Sequence, residues 1–437
     1  MIIQEFSFGN FRSFKDIQTL NLTAAKLKSK DERIDISNVI RDEDRYKDLG
    51  FLKTKAIYGA NASGKSNMIK ALGVFINIIN RSVKDEEALF AVDSFELSTE
   101  TENEPSFFQL IFWIEGVRYR YGFEASVDNV SSEWLFAKSG EREISYFIRE
   151  DQKIEKIDKT NFAEGDKLIR FFDESSDGTQ IFRYNSLFLS TISALGAGKL
   201  SKEIIDNISS IIFINGLGEN GLYELANDYI EDPVKKEFIL KLLNSGDIGD
   251  IGDIDSVDVS SIISNEKRDV DLKPNKKKRY IFSKRKVYDA NLKPVSFTYF
   301  NFKILESEGT LKLFELSPLI YDALKGNRPL FIDEFDARFH PLLTKKIVEL
   351  FNSEENKGAQ LVFVTHDTNL LSTDLLRRDQ IEFVEKDKYG ASHLYSLAQF
   401  KGIRNDASFE KDYIQGKYGA IPFLGDFKKL LDTDDDA

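Results

Sequence analysis

The sequence predicts an α/β fold in which a mixed sheet carries a glycine turn, with a flanking antiparallel sheet and an inserted, mainly helical region. Three observations predict it. "KTKAIYG" reads as a buried strand ending at Gly59, and "GANASGKS" (59–66) completes the turn. From Lys65 onward Met68, Ile69, Leu72, Phe75, Ile76 and Ile79 then recur at helical spacing. Far downstream, "PLFIDEFD" (329–336) and "QLVFVTHDTNLL" (360–371) each set polar residues at the end of a short apolar strand. Between these segments, from about 160 to 245, the pattern is mostly helical.

In chain order, Ile2, Ile3, Phe6, Phe8, Phe11 and Phe14 alternate as in a strand. Residues 84–104 are acidic and loop-like. "SFFQLIFWIEGVRYRYGFEAS" (106–126) predicts a hairpin turning near Glu115-Gly116, with further strands to about 150. "SKEIIDNISSIIFI" and "DPVKKEFILKLLNS" read as helices, the second starting at Asp232-Pro233. "GDIGDIGDID" (246–255) is too brief a repeat for a solenoid and reads as a tight polar turn. Strands return at 279–289 and 294–304, and from about 305 helix and short apolar strand alternate. The expected organisation is a first lobe at 1–155, a mainly helical insertion at 156–275 and a second lobe at 276–437. The insertion separates two halves of one nucleotide-binding domain.

A chain of 437 residues allows roughly two to three domains. A hydrophobic fraction of 41% with 36 Phe supplies ample core and argues against disorder. The absence of cysteine excludes disulfides, cysteine zinc sites and thiol nucleophiles. The start "MIIQEFSFGNFRSF" has no signal-peptide pattern, and no run of about 18 apolar residues occurs, so a cytoplasmic, non-membrane protein is expected. A formal net charge of −13 disfavours nonspecific coating of DNA. One basic stretch, "KKKRYIFSKRK" (276–286), fits either a solvated hairpin rim or a contact for nucleic acid or a partner.

The octet matches the phosphate-loop pattern G-x-x-x-x-G-K-[ST] in full. Gly59, Asn61, Ala62, Ser63 and Gly64 provide backbone N–H groups that turn inward around phosphate oxygens, and the following helix adds its positive end. Lys65 places a charge on the β and γ phosphates, and the Ser66 hydroxyl is positioned for Mg²⁺. Asp333 is suited to hold Mg²⁺ through a water, and Glu334 to orient and deprotonate an attacking water. An aspartate alone suits a binding switch, whereas Asp-Glu predicts hydrolysis. His366, just past an apolar strand, is the candidate for γ-phosphate contact. His340 and His393 have no such context.

This ordered set resembles the ATP-binding-cassette class of P-loop ATPases, in the branch holding the chromosome-maintenance (SMC) and RecF-like heads. "NFRSF" is similar to that branch's opening motif, which implies that Arg12 touches phosphate. "ESEGT" (306–310) resembles the signature loop through Ser307 and Gly309, though the paired glycines are absent. In the family this loop binds the γ-phosphate held by the opposite subunit, and Asp336 matches the D-loop that crosses the same interface. The resemblance therefore implies ATP and Mg²⁺ as cofactors. It also implies a homodimer or higher homo-oligomer with composite ATP sites.

"LLNSGDIGDIGDID", "RRDQIEFVEKDKYGASHLYSLAQFKG" and "YIQGKYGAIPFL" are similar to the AAA-type ATPases of the OLD/abortive-infection group of bacteria and archaea. That group implies antiphage defence with a nuclease or Toprim-like effector, fused or encoded alongside. The short tail after "GAIPFLGDF" leaves no room for a Toprim fold, so an effector acting in trans is expected. A RecF/SMC-like repair or recombination ATPase is the alternative, with the basic stretch as its only obvious duplex contact. A scaffold that uses ATP only to hold an assembly is disfavoured by Glu334. A transporter ATPase lacks its full signature. Gln109 is a poor candidate for the Q-loop.

Overall fold

The computed structural model describes residues 1–173, 182–215, 221–246, 251–258, 279–403 and 407–422. Lys276–Lys278 of the basic stretch, residues 247–250 of the short repeat and the acidic tail from Asp432 lie outside them.

Two large sheets sandwich one helix. The antiparallel sheet runs in the order Lys153–Ile157, Ile144–Glu150, Val130–Lys138, Val117–Ala125, Ser106–Ile114, Ile2–Gly9, Gln18–Asn21. The second sheet runs Ile212–Asn215, Pro329–Asp333, Gln360–Val364, Thr54–Tyr58, Ile381–Lys386, Ser392–Ser396. Its first five strands are parallel and the last is antiparallel. The helix Lys65–Arg81 lies between the sheets because its stripe of Met68, Leu72, Phe75 and Ile79 is buried along its length. Phe75 stacks on Phe123 at 5.4 Å from the antiparallel side, and Phe331, Val362 and Val364 close the same core from the parallel side.

Alternate residues of those parallel strands, Leu330, Ile332, Leu361 and Phe363, face the other way into a second core. That core is covered by the helices Leu222–Tyr229, Pro233–Ser245, Glu308–Gly326 and Pro341–Asn352. A strand buried on both faces must be apolar throughout. On Thr54–Tyr58 the buried polar groups are paired: Thr54 with Asn352 and Gln380, and Lys55 with Glu382 at 2.5 Å on the adjoining strand and the Asp379 carbonyl at 2.7 Å.

Two segments depart from expectation. The end of "SKEIIDNISSIIFI" is not helical: the helix stops at Ser209, and Ile212–Asn215 pairs with Pro329–Asp333 as the edge of the central sheet. A short apolar run has no periodicity to separate strand from buried helix, and here a free sheet edge decided it. Ile251–Asp258, expected within a polar turn, is a strand pairing with Arg279–Tyr288, which in turn pairs with Pro294–Asn301. Ile251 and Ile254, three residues apart, are both buried because the strand shifts register between Ile251 and Asp253.

One side chain joins the first strand to the central sheet. Gln360 accepts from the Ile3 N–H at 2.7 Å and donates to the carbonyls of Ile3 at 3.0 Å and Leu52 at 3.2 Å. The strand Ile2–Gly9 shifts register between Ile3 and Glu5, and the glutamine amide satisfies the backbone there. No helix among the described residues is long and apolar enough to cross a membrane.

Farther out, Glu133 and Arg149 are fully buried 3.3 Å apart. Glu133 also accepts from the Phe188 and Leu189 N–H groups and from the Tyr121 hydroxyl. Burial pushes the Glu133 carboxyl up against these partners. Replacing Arg149 with Leu strands a buried carboxylate and is expected to cost roughly 3–5 kcal/mol, read as a lower urea midpoint. Adding Glu133→Leu to that variant is expected to recover part of the loss, since both charges are then gone.

Candidate phosphate and hydrolysis site

Gly59 ends its strand where a Cβ would lie 2.4 Å from the Val384 carbonyl. Ala62 and Gly64 then take positive φ values of 60° and 112°, and this alternation turns successive N–H groups toward one concavity. Gly64 caps the helix Lys65–Arg81 without any side-chain hydrogen bond, so no capping side chain competes with a ligand for the Lys65 and Ser66 N–H groups. Asn61 and Ala62 are exposed at the rim, and Ser66 is half-buried in the first turn. Ser63 is buried, and its Oγ has no partner among the described residues.

Lys65 Nζ donates to the carbonyls of Gly59 and Ala60, both at 2.8 Å, leaving the third ammonium donor free. Burial pulls Lys65 down to about 8, opposed by Asp333, Glu334 and Asp336. His366 lies in the same field: burial and then Lys65 lower it, while Asp336, Glu334 and Asp333 pull it up. Lys65, His366 and three carboxylates thus lie in one electrostatic neighbourhood, although the loop is far from its partners in sequence.

The acids are set by the backbone. Asp333 is buried at the end of its strand and accepts from the Glu334 N–H at 3.1 Å. Glu334 has φ of 50°, a left-handed conformation that costs a non-glycine residue about 1 kcal/mol or more. Asp336 accepts from the His366 N–H at 3.1 Å, so this aspartate fixes the turn after Gln360–Val364 within its own chain.

Ser307 and Gly309 begin the helix Glu308–Gly326, which packs behind that cluster. Ser307 caps the helix Glu308–Gly326, accepting from the Thr310 N–H at 3.2 Å, and is exposed. A Cβ on Gly309 would sit 3.1 Å from the Arg338 carbonyl, so this helix start packs against the turn that follows Glu334. Arg12 (φ 51°) precedes Ser13, whose hydroxyl approaches Gly64, but the Arg12 guanidinium is held 2.8 Å from Asp93 and over the Phe11 ring. Gln109 is held inside the antiparallel sheet, accepting from Trp134 at 3.1 Å and Arg120 at 3.4 Å.

Three residues escaped the sequence. Ser392 Oγ donates to the Ser63 carbonyl at 2.6 Å, and its N–H donates to the Ser13 carbonyl at 2.7 Å. Ser13 Oγ in turn accepts from Asn67 at 2.9 Å. Lys312, on the helix behind Gly309, is buried and donates to the Phe335 carbonyl at 3.0 Å, to Glu334 at 3.4 Å and to Ala337. A polar residue on a helix's apolar face was the available signal for Lys312; Ser13 and Ser392 lie within "NFRSF" and the C-terminal motif, with nothing to single out either serine.

A family model described as "AAA domain, putative AbiEii toxin, Type IV TA system" matches residues 56–372. The chain belongs to this AAA family. Its AAA domain spans the phosphate loop, the acid pair and His366, which are the parts the geometry brings together. No curated protein matches. Among solved structures, the SMC head domain from Thermotoga maritima is 13% identical, covering 91% of this chain and 99% of that one, with a TM-score of 0.40. An SMC head bound to the C-winged helix domain of ScpA is 14% identical, with coverages of 92% and 100% and a TM-score of 0.46. An SMC head with an extended coiled coil, bound to the C-terminal domain of ScpA derived from Pyrococcus furiosus, is 14% identical with a TM-score of 0.36; coverages are 95% and 98%. The AAA domain has a P-loop α/β fold, in which a mostly parallel and an antiparallel sheet pack on the helix Lys65–Arg81.

Lys312→Met removes the donor to three carbonyls and is expected to destabilise the protein by about 2–4 kcal/mol in urea unfolding. Burial holds the Lys312 ammonium down to about 8. From pH 8 to 10 the unfolded chain therefore keeps a proton the folded one releases. Wild type should gain stability relative to Lys312→Met as pH rises through that window.

Proposed function

We propose that this chain is an ATP-hydrolysing subunit that dimerises across composite sites. Its setting would be a bacterial or archaeal antiphage system, where it controls a separate nuclease or Toprim-like effector. The observation that carries the hydrolytic part is Glu334. It follows the Asp333 strand end, holds a strained φ, and shares the field of Lys65 and His366. A strained acidic residue in the field of the phosphate-loop lysine supports a positioned general base.

The donor set fits a phosphate-bound magnesium ion. Among the described residues no group of three or more His, Asp or Glu side chains could hold a metal alone. Mg²⁺ is commonly held by one or two protein oxygens together with phosphates, which matches Ser66 and Asp333. Three carboxylates facing one ammonium would repel a polyphosphate, and bound Mg²⁺ supplies the charge that offsets this. Gly59 to Gly64 hold the phosphate oxygens by N–H groups, and Lys65 supplies a point charge. Glu334 orients a water and takes its proton, and a neutral His366, favoured by its lowered pKa, hydrogen-bonds the terminal phosphate.

Ser307, Gly309 and Asp336 are assigned to the dimer face. The exposure of Ser307 supports a role toward a second chain. Arg12 would reach phosphate only by leaving Asp93. The defence setting is supported by the family description and by the C-terminal resemblance, a weaker warrant than the site itself. The alternative, a DNA repair or recombination ATPase, needs a basic surface. Arg279 is paired with Asp228 and Glu231, and Arg285 with Glu306 at 2.7 Å, which reduces what the basic strand offers a duplex.

Glu334→Gln is expected to lower the ATP turnover rate by about 10²–10⁴-fold while ATP affinity and ATP-induced dimerisation persist. Phosphate release, equilibrium binding and sedimentation measure the three. Turnover that survives the substitution would sink the assignment.

A further inference from the structure

Beside the phosphate loop lies a cavity of about 340 Å³, within the range of ligand pockets. Its inner wall is the loop tip at Ala60–Ser63, its floor is Glu385 and Lys386, and its outer wall is Ala420–Pro422. The outer wall belongs to "YIQGKYGAIPFL", a motif to which phosphate chemistry gives no task.

The position follows from strand order. The acids at the end of Pro329–Asp333 stand two strands to one side of the phosphate-loop strand Thr54–Tyr58. A terminal phosphate directed at them leaves the rest of the ligand on the opposite side. There Ile381–Lys386 ends, its Val384 carbonyl pressed against Gly59. Ligands of open α/β sheets lie across the carboxyl ends of the strands, which is where this cavity opens.

The wall is built to fit Glu385. The Tyr395 hydroxyl lies 3.0 Å from Glu385 Oε2 and 2.8 Å from the Tyr418 carbonyl. Gly419 has φ of 69°, and a Cβ there would fall 2.7 Å from the Tyr395 hydroxyl and 2.8 Å from Glu385 Oε2. Tyr395 thus engages one carboxylate oxygen, and Oε1 remains an acceptor. Ala60, Ala62, Ala420, Ile421 and Pro422 supply apolar surface around it.

We propose that this cavity is the nucleoside subsite, in which Glu385 accepts from a ribose hydroxyl and the turn Ala420–Pro422 covers the base. It rests on the nucleotide assignment above.

Calorimetric titration with ATP and with inorganic triphosphate, both with Mg²⁺, tests it. Wild type should bind ATP at least roughly ten-fold more tightly than triphosphate. Ile421→Trp, which fills the cavity, should weaken ATP by about ten-fold and leave triphosphate unchanged. Equal loss of both ligands, or loss of neither, would overturn the subsite. Triphosphate binding as tight as ATP in wild type would overturn it while sparing the phosphate loop, whereas binding of neither ligand would overturn the nucleotide assignment itself. A second measurement does not depend on the tryptophan variant folding. Wild type should prefer ATP to 2′,3′-dideoxy-ATP by roughly five-fold, and Glu385→Gln should reduce that preference. Equal affinity of wild type for the two nucleotides would overturn the role of Glu385.

Discussion

The close approach of Gly59 to the Val384 carbonyl, with no room for a Cβ, constrains everything around the phosphate loop. It brings the loop so near the neighbouring strand that Ser392, from the next strand over, can hold the Ser63 carbonyl. Ser392 also binds the Ser13 backbone, which ties the tip of the antiparallel sheet to the same point. A Cβ on Gly64 would meet both serine hydroxyls, at 2.5 Å and 2.8 Å. The concave N–H array is therefore preorganised by three distant segments, and a rigid array loses little on binding an anion.

A second unit lies across the acid pair. Gly309 packs on the Arg338 carbonyl, and Lys312 bonds the backbone from Glu334 to Ala337. The exposed Ser307 end of that helix and the turn carrying Glu334 are in this way one packed body. In the proposed dimer, a push on Ser307 from the partner's phosphate would reach the Glu334 backbone through a single buried ammonium. This is a physical connection between two parts of the site that share no side-chain contact with each other's ligands.

Motifs with a fixed chemistry were legible in the sequence: the octet, the Asp333-Glu334 strand end and His366 are recognisable because phosphate chemistry dictates their spacing. The helix Lys65–Arg81 was legible from its periodicity. Ile212–Asn215 was not, because four apolar residues carry no period, and its strand state depends on an edge supplied by residues over a hundred positions away. Ile251–Asp258 was hidden by its acids, which face outward once the strand is paired. Ser13 and Ser392 act through backbone contacts that any small polar residue could suggest, so only folding distinguishes them. The C-terminal turn was visible as a motif, yet its place beside Glu385 depends on the tyrosine between them.

Gln360 has a consequence for how the protein is made. Its partner Ile3 lies 357 residues earlier, and the phosphate-loop strand is itself flanked by Gln360–Val364 and Ile381–Lys386. At ribosomal rates of about 5–20 residues per second, the first strand waits roughly 20–70 s for the glutamine that satisfies it. Through that interval the antiparallel sheet can assemble from local hairpins, but the phosphate loop has neither of its neighbours. The phosphate-loop strand therefore stays unpaired on both sides until the last part of the chain is made.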